Sequence, residues 1–167
     1  MMKRISKDQN QPPCLPEFVL SYGGVPNDEM LQRIVSGSRQ LGGYAEELVA
    51  CFEHEPGRRV GRAAAVRLSQ WFTEGPTTAE IYAAARARGF AEMGISLALR
   101  LAEFYQDQPG EERICLGHAP SPVPVLGCGP LVLVAGCDSG RYLYGNSAEP
   151  DLVWSIDDCW AFEVPQA

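Results

Sequence analysis

Arg58-Arg59-Val60-Gly61-Arg62-Ala63-Ala64-Ala65-Val66-Arg67-Leu68-Ser69-Gln70-Trp71-Phe72-Thr73 is the stretch on which the fold class turns. Val60, Ala64, Leu68, Trp71 and Phe72 recur at the spacing of one helical face. Arg58, Arg59, Arg62 and Arg67 occupy much of the rest. Pro56-Gly57 stands before the stretch and Gly75-Pro76 after it, and both pairs break regular structure. The pattern predicts a helix over 58–73.

Read outward from there, the front of the chain is helical. Upstream, Asn27 is a good N-cap with Asp28 and Glu29 behind it, and Met30, Leu31, Ile34 and Val35 share a face. After Gly42-Gly43, Tyr44, Leu48, Cys51 and Phe52 repeat at helical spacing. Downstream, Thr77 or Thr78 caps an alanine-rich helix that runs to Gly89. Met93, Leu97, Leu101 and Phe104 then mark a helix over about 92–105. After residue 110 the texture changes to short β-rich runs between prolines and glycines. These runs are Arg113–Leu116, Leu131–Ala135, Arg141–Tyr144, Leu152–Ile156 and Trp160–Val164, with Asp138-Ser139-Gly140 as a hairpin turn. The expectation is an α+β domain: an N-terminal helical bundle over residues 26–108 packed on a small, mostly antiparallel C-terminal β-sheet over 111–164. Residues 1–25 are expected to form a flexible arm, leaving 26–167 as one domain.

Bulk properties narrow the class. The chain has 167 residues, 46% of them hydrophobic and 21% charged. A chain of this length hides roughly 70% of its unfolded surface, so it needs no disulfide or metal to fold. No run approaches the roughly 18 apolar residues that cross a bilayer. Residues 1–11 lack the apolar segment of a secretory signal. The expectation is a cytoplasmic protein with no membrane partner, whose six cysteines are reduced and mostly buried.

The net charge of −7 is unevenly spread. Residues 1–56 carry −3, residues 57–101 carry +4, all of the basic groups being arginines, and residues 102–167 carry −8. Such a layout fits a polyanion site in the middle, an acidic face for a basic partner, or two segments that neutralise each other.

Few residues are arranged for chemistry. Cys51 and His54 form one CxxH pair and Cys115 and His118 another, with Cys128 and Cys137 after the second. Cys115, His118, Cys128 and Cys137 would supply four zinc ligands, but neither end has a CxxC knuckle, so no metal and no cofactor is expected. Cys128 lies in a Gly-Cys-Gly turn near His118, which leaves a cysteine-dependent enzyme as a minor alternative. Walker, GxSxG, HExxH and GxGxxG phrases are all missing. The sequence therefore carries no expected catalytic residues.

Two resemblances remain. Thr77-Thr78-Ala79-Glu80-Ile81-Tyr82 with Ala85-Arg86-Ala87-Arg88-Gly89 is similar to the first helices of winged helix-turn-helix repressors, including the ferric-uptake-regulator type. That resemblance implies a recognition helix over 94–100 and a DNA-binding set of Arg86, Arg88, Ser96 and Arg100. Pro124-Val125-Leu126-Gly127-Cys128-Gly129, Leu131-Val132-Leu133-Val134, Gly136-Cys137, Gly140-Arg141 and the aromatic strand Tyr142-Leu143-Tyr144 resemble the SUKH superfamily over residues 124–160. Its bacterial members are largely toxin-immunity proteins. It implies a non-catalytic inhibitor that meets a basic toxin or effector through a charged, aromatic-rimmed surface. The anchors expected on that surface are Trp154, Trp160, Asp151, Asp157, Asp158, Tyr142 and Tyr144. The protein-binding expectation leads, and a DNA-binding regulator is the alternative.

Overall fold

A computed structural model describes residues 17–37, 39–105, 112–136 and 141–166. It overturns the helical reading of 58–73: Arg59–Arg67 is a nine-residue strand, followed by a 3-10 turn at Leu68–Gln70. The strands are β1 (Phe18–Tyr22), β2 (Gln40–Leu41), β3 (Arg59–Arg67), β4 (Arg113–Leu116), β5 (Ser121–Pro122), β6 (Pro130–Gly136), β7 (Tyr142–Ser147) and β8 (Cys159–Glu163). The helices are α1 (Asn27–Ser36), α2 (Ala45–Ala50), α3 (Thr78–Ala87) and α4 (Ile95–Phe104). The eight strands of the described residues form one sheet in the order β1-β3-β8-β4-β6-β7-β2, with β5 beside β6. It is mixed: β4 runs parallel to β8 and β2 parallel to β7, and the other pairs are antiparallel.

The misreading of β3 has a geometric cause. Residues 60, 64 and 68 are four apart, which puts them on one side of a helix and equally on one side of a strand. β3 lies between β1 and β8, and both of its faces are covered over most of its length, so it shows no polar alternation. Alanine favours helix, but here pairing and burial decide. Small side chains also let the layers close. A Cβ on Gly61 would stand 2.7 Å from a ring carbon of Tyr22 and 3.3 Å from the Leu97 side chain of α4.

The sheet separates two cores. Ala63, Ala65, Ile114, Leu116, Leu131, Leu133 and Ala161 point to the face covered by α1, α2 and α4. Val66, Cys115, Val132, Val134, Trp160 and Phe162 point to the opposite face, against α3, Trp71, Phe72 and Trp154. The expected N-terminal bundle on a small C-terminal sheet is therefore wrong. Two strands, β2 and β3, lie within the span read as helical, and the helices are divided between two faces of a large sheet. Residues 18–22 are an edge strand rather than part of an arm. The expected strand over 152–156 reduces to one bridge, Val153 to Thr77. Residues 1–16 and the Asp138-Ser139-Gly140 turn lie outside the described residues.

Two polar devices hold helix ends. Arg39 is buried and donates from Nε to Ala102 O at 2.9 Å and from Nη2 to Tyr105 O at 2.6 Å, which caps the C-terminal carbonyls of α4. Its Nη1 reaches Gly136 O at the end of β6 at 3.4 Å. At α3, Thr77 and Glu80 form a reciprocal capping box, with Thr77 N–H donating to Glu80 Oε2 at 2.8 Å. Thr77→Ala is expected to lose about 1 kcal/mol in urea-unfolding measurements. An unchanged midpoint would show that packing on Tyr82 and Ile81 holds the helix start unaided.

Candidate functional site

A concavity lies between α1 and α2. Each helix begins with carboxylates, Asp28 and Glu29 in α1 and Glu46 and Glu47 in α2, where the helix dipole favours negative charge. α1 has ten residues and α2 six, a difference of about 6 Å in length at 1.5 Å per residue. Gly42-Gly43 and Tyr44, at φ +69°, turn the chain from β2 into α2. The loop after Cys51 then runs alongside α1, where Asn27 Nδ2 donates to Phe52 O at 3.0 Å.

A groove of 990 Å³ is left open. Its floor is apolar, with Leu31, Val35, Leu41, Val49 and Phe52, and its rim carries Asp28, Glu46 and Glu53 beside Asn27 and His54. Val35 is 46% exposed, unusually open for a residue read as part of a core stripe. The two arginines of the region add little compensation. Arg33 is paired with Glu29 at 2.7 Å, and Arg39 is buried at the end of α4. An apolar trough edged by carboxylates is suited to a chain segment that is apolar on one side and basic on the other.

The residues expected to anchor a partner are distributed differently. Trp160 is 0% exposed and Trp154 is 7% exposed. They contact edge to face at 4.9 Å in the core on the α3 side, and Trp154 Nε1 donates to Thr78 Oγ1 at 2.8 Å. Neither presents a ring to a partner, because the sheet's second face needs them as core. Asp151 and Asp157 are exposed. Asp158 accepts from Ser155 N–H and pairs with Arg113 at 3.1 Å. Tyr142 and Tyr144 are half-buried on β7, with Tyr144 packed on the α3-side core. Asp158 and Tyr142 lie toward the same end of the sheet, since Gly136 is registered with both Arg113 and Tyr142. The tryptophans do not join them.

The DNA-binding set is split as well. α3 and α4 cover opposite faces of the sheet and do not form a helix-turn-helix pair. Arg86 faces Glu92 at 3.5 Å. Arg88 lies 4.9 Å from the Trp71 ring centre, and burial draws its pKa down. Ser96 is buried, and Arg100 pairs with Glu103.

Cys115 and His118 do not share a site. The Cys115 thiol sits in the α3-side core, and burial pushes its pKa well up. His118 is 1% exposed and has both ring nitrogens engaged. Nδ1 is 2.8 Å from Ala119 O, and Nε2 accepts the Leu133 N–H at 3.0 Å, which fixes the Nδ1–H tautomer. It is not free to act as a base for Cys128, which is half-buried with its thiol near Leu126 O. Cys137 lies outside the described residues, among which no group of three or more His, Cys, Asp or Glu side chains is placed to hold a metal.

The groove was within reach of the sequence only in part. Acidic first turns and the apolar positions of α1 were readable. The signal that was missed is Val35, one apolar residue more than a face turned toward the sheet requires. Among the described residues no helix is long and apolar enough to cross a membrane. Comparison with family models, with curated proteins and with solved structures finds no match to this chain.

Proposed function

We propose that this chain is a non-catalytic protein-binding module that seats a basic segment of another protein in the α1–α2 groove, in the manner of an immunity-type inhibitor of a basic toxin or effector. The observation that carries the reading is the groove itself: an apolar floor of Leu31, Val35, Val49 and Phe52 under a rim of Asp28, Glu46 and Glu53. The net charge of −7 works in the same direction, because long-range attraction speeds encounter with a basic partner and repels acidic ones. The inhibitory sense of the proposal rests on the resemblance of residues 124–160 to the SUKH superfamily. The groove, rather than Trp154 and Trp160, takes the place of the anchor surface in this reading.

The test uses a labelled Leu/Lys amphipathic helical peptide as the probe and fluorescence anisotropy as the readout. The protein is expected to bind it in a salt-sensitive manner and to bind a Leu/Glu peptide of the same length far more weakly. Glu46→Lys combined with Glu53→Lys is expected to weaken the Leu/Lys peptide roughly 10-fold or more, with only a small fall in melting temperature, because both side chains sit on the surface and Glu46 gives up a favourable place in the first turn of α2. Equal binding of both peptides, or no effect of the double reversal, would remove the groove from the function.

A further inference from the structure

A second, smaller cavity has the opposite electrostatics and is independent of the groove. It measures 110 Å³ and is lined by Ser21, Tyr22, Gly23, Val25, Met30, Arg33, Arg58, Ser96 and Arg100. The three arginines come from three separate elements: α1, the segment before β3, and α4. Among the described residues no carboxylate lines the cavity. The neighbouring cavity, on the other side of Tyr22 and Ser96, mixes Arg59 and His54 with Glu53, Glu55 and Glu163. The small cavity thus keeps the charge of Arg58, unpaired among the described residues, beside two paired arginines, whereas the neighbouring one carries an acidic excess.

The donors in the small cavity are incompletely used. Arg58 forms no ion pair among the described residues. Arg33 and Arg100 each hold one carboxylate, Glu29 and Glu103, but a guanidinium carries five N–H groups. The Nε–H of Arg100 is buried without an acceptor among the described residues. Ser96 is 4% exposed, and its Oγ accepts the Glu55 N–H at 2.9 Å, which leaves its hydroxyl proton to donate. Ser96 stands in the first turn of α4, whose cap residue Gly94 faces the neighbouring cavity instead and donates its N–H to Glu163 there. Buried donors without acceptors cost free energy, and three guanidinium groups around one small space repel each other. A bound anion relieves both.

We propose that the Arg33–Arg58–Arg100 cavity with Ser96 binds a single phosphoryl group, either inorganic phosphate or the phosphate of a monoester whose organic part stays outside. The size agrees: 110 Å³ holds roughly four waters' share of liquid volume, enough for one tetrahedral oxyanion and too little for a nucleotide. Planar guanidinium forks suit such an oxyanion, and Arg58 supplies an uncommitted one.

The experiment is a thermal-shift series on the full chain with sodium phosphate, O-phosphoserine or AMP, each against sodium chloride at matched ionic strength, with affinities from calorimetry. Phosphate is expected to raise Tm by about 2–4 °C at about ten times its Kd. Arg58→Ala and Arg100→Met are each expected to weaken phosphate roughly 10-fold or more. Arg86→Ala, on the other side of the sheet, should leave the affinity unchanged. Equal shifts with all three phosphates assign the site to the phosphoryl group alone, and a larger shift with one ester identifies that source as the ligand. A shift no greater than that of chloride, or one that survives Arg58→Ala, overturns the proposal. The peptide probe reports separately on the α1–α2 groove, so failure of one site leaves the other intact.

Discussion

Trp160→Ala is expected to cost about 3–5 kcal/mol of folding free energy and to leave peptide binding in the α1–α2 groove unchanged in whatever fraction remains folded. The ring is fully buried on β8 near the middle of the sheet. It stacks on Phe162 at 5.9 Å and meets Trp154 and Tyr82 edge to face at 4.9 and 5.5 Å. Removing it opens a cavity among three other aromatics that cannot collapse without moving strands. Trp160→Phe sharpens the test. The Trp160 Nε1–H is buried and has no acceptor among the described residues, and such a donor costs about 1–3 kcal/mol. Phenylalanine deletes that donor while keeping most of the ring, so this variant is expected to stay within about 1.5 kcal/mol of the parent. Urea unfolding measures both. A loss below about 1 kcal/mol for Trp160→Ala would mean that the aromatic cluster is not the core of the α3 side.

Acid is expected to destabilise the protein first through His118. Burial pushes its pKa down to about 4, against an ordinary value near 6.5. The ring binds fewer protons folded than unfolded in this range, so its contribution is fully present above pH 6.5 and is lost as pH falls toward 4. Linkage gives a loss of about 2 kcal/mol between pH 7 and pH 5, and about 3 kcal/mol by pH 4. The cost is structural: protonating Nε2 removes the acceptor of the Leu133 N–H in the middle of β6. His118→Asn should lower stability at neutral pH and flatten the profile between pH 7 and pH 5. A parent profile flat over that interval would contradict the buried, neutral ring.

How much of this was legible from the sequence depends on how many faces an element buries. α1, α3 and α4 each turn a continuous stripe to the sheet, and their periodicity revealed them. Arg113–Leu116 and the runs near β6 and β8 were recognisable by β-branched and aromatic content. β3 was not, because Ala63-Ala64-Ala65 is covered on both faces and its spacing of four serves either geometry. β1 is indistinct in sequence because five residues give too short a pattern, and its partner β3 lies about forty positions away. The functional surfaces fared likewise. The acidic excess was visible as composition. The groove needs α1 and α2 side by side, and the arginine cavity gathers residues 33, 58 and 100, which no local window contains. Their chemistry alone suits Trp154 and Trp160 to a partner surface, yet the sheet's second face has the stronger claim on both.

The position of β8 reaches into the life of the chain during synthesis. β8 is formed by residues 159–163, but in the sheet it sits between β3 and β4 and pairs with both. Until those residues emerge from the ribosome, β1 with β3 and β4 with β6 and β7 can form only as two separate ribbons, each exposing an unfinished edge. At about 5–20 residues per second, that interval lasts several seconds after β3 has been made. The nascent protein is therefore most exposed to proteases and chaperones between the emergence of β3 and that of β8, and closure comes when β8 slots between two waiting halves.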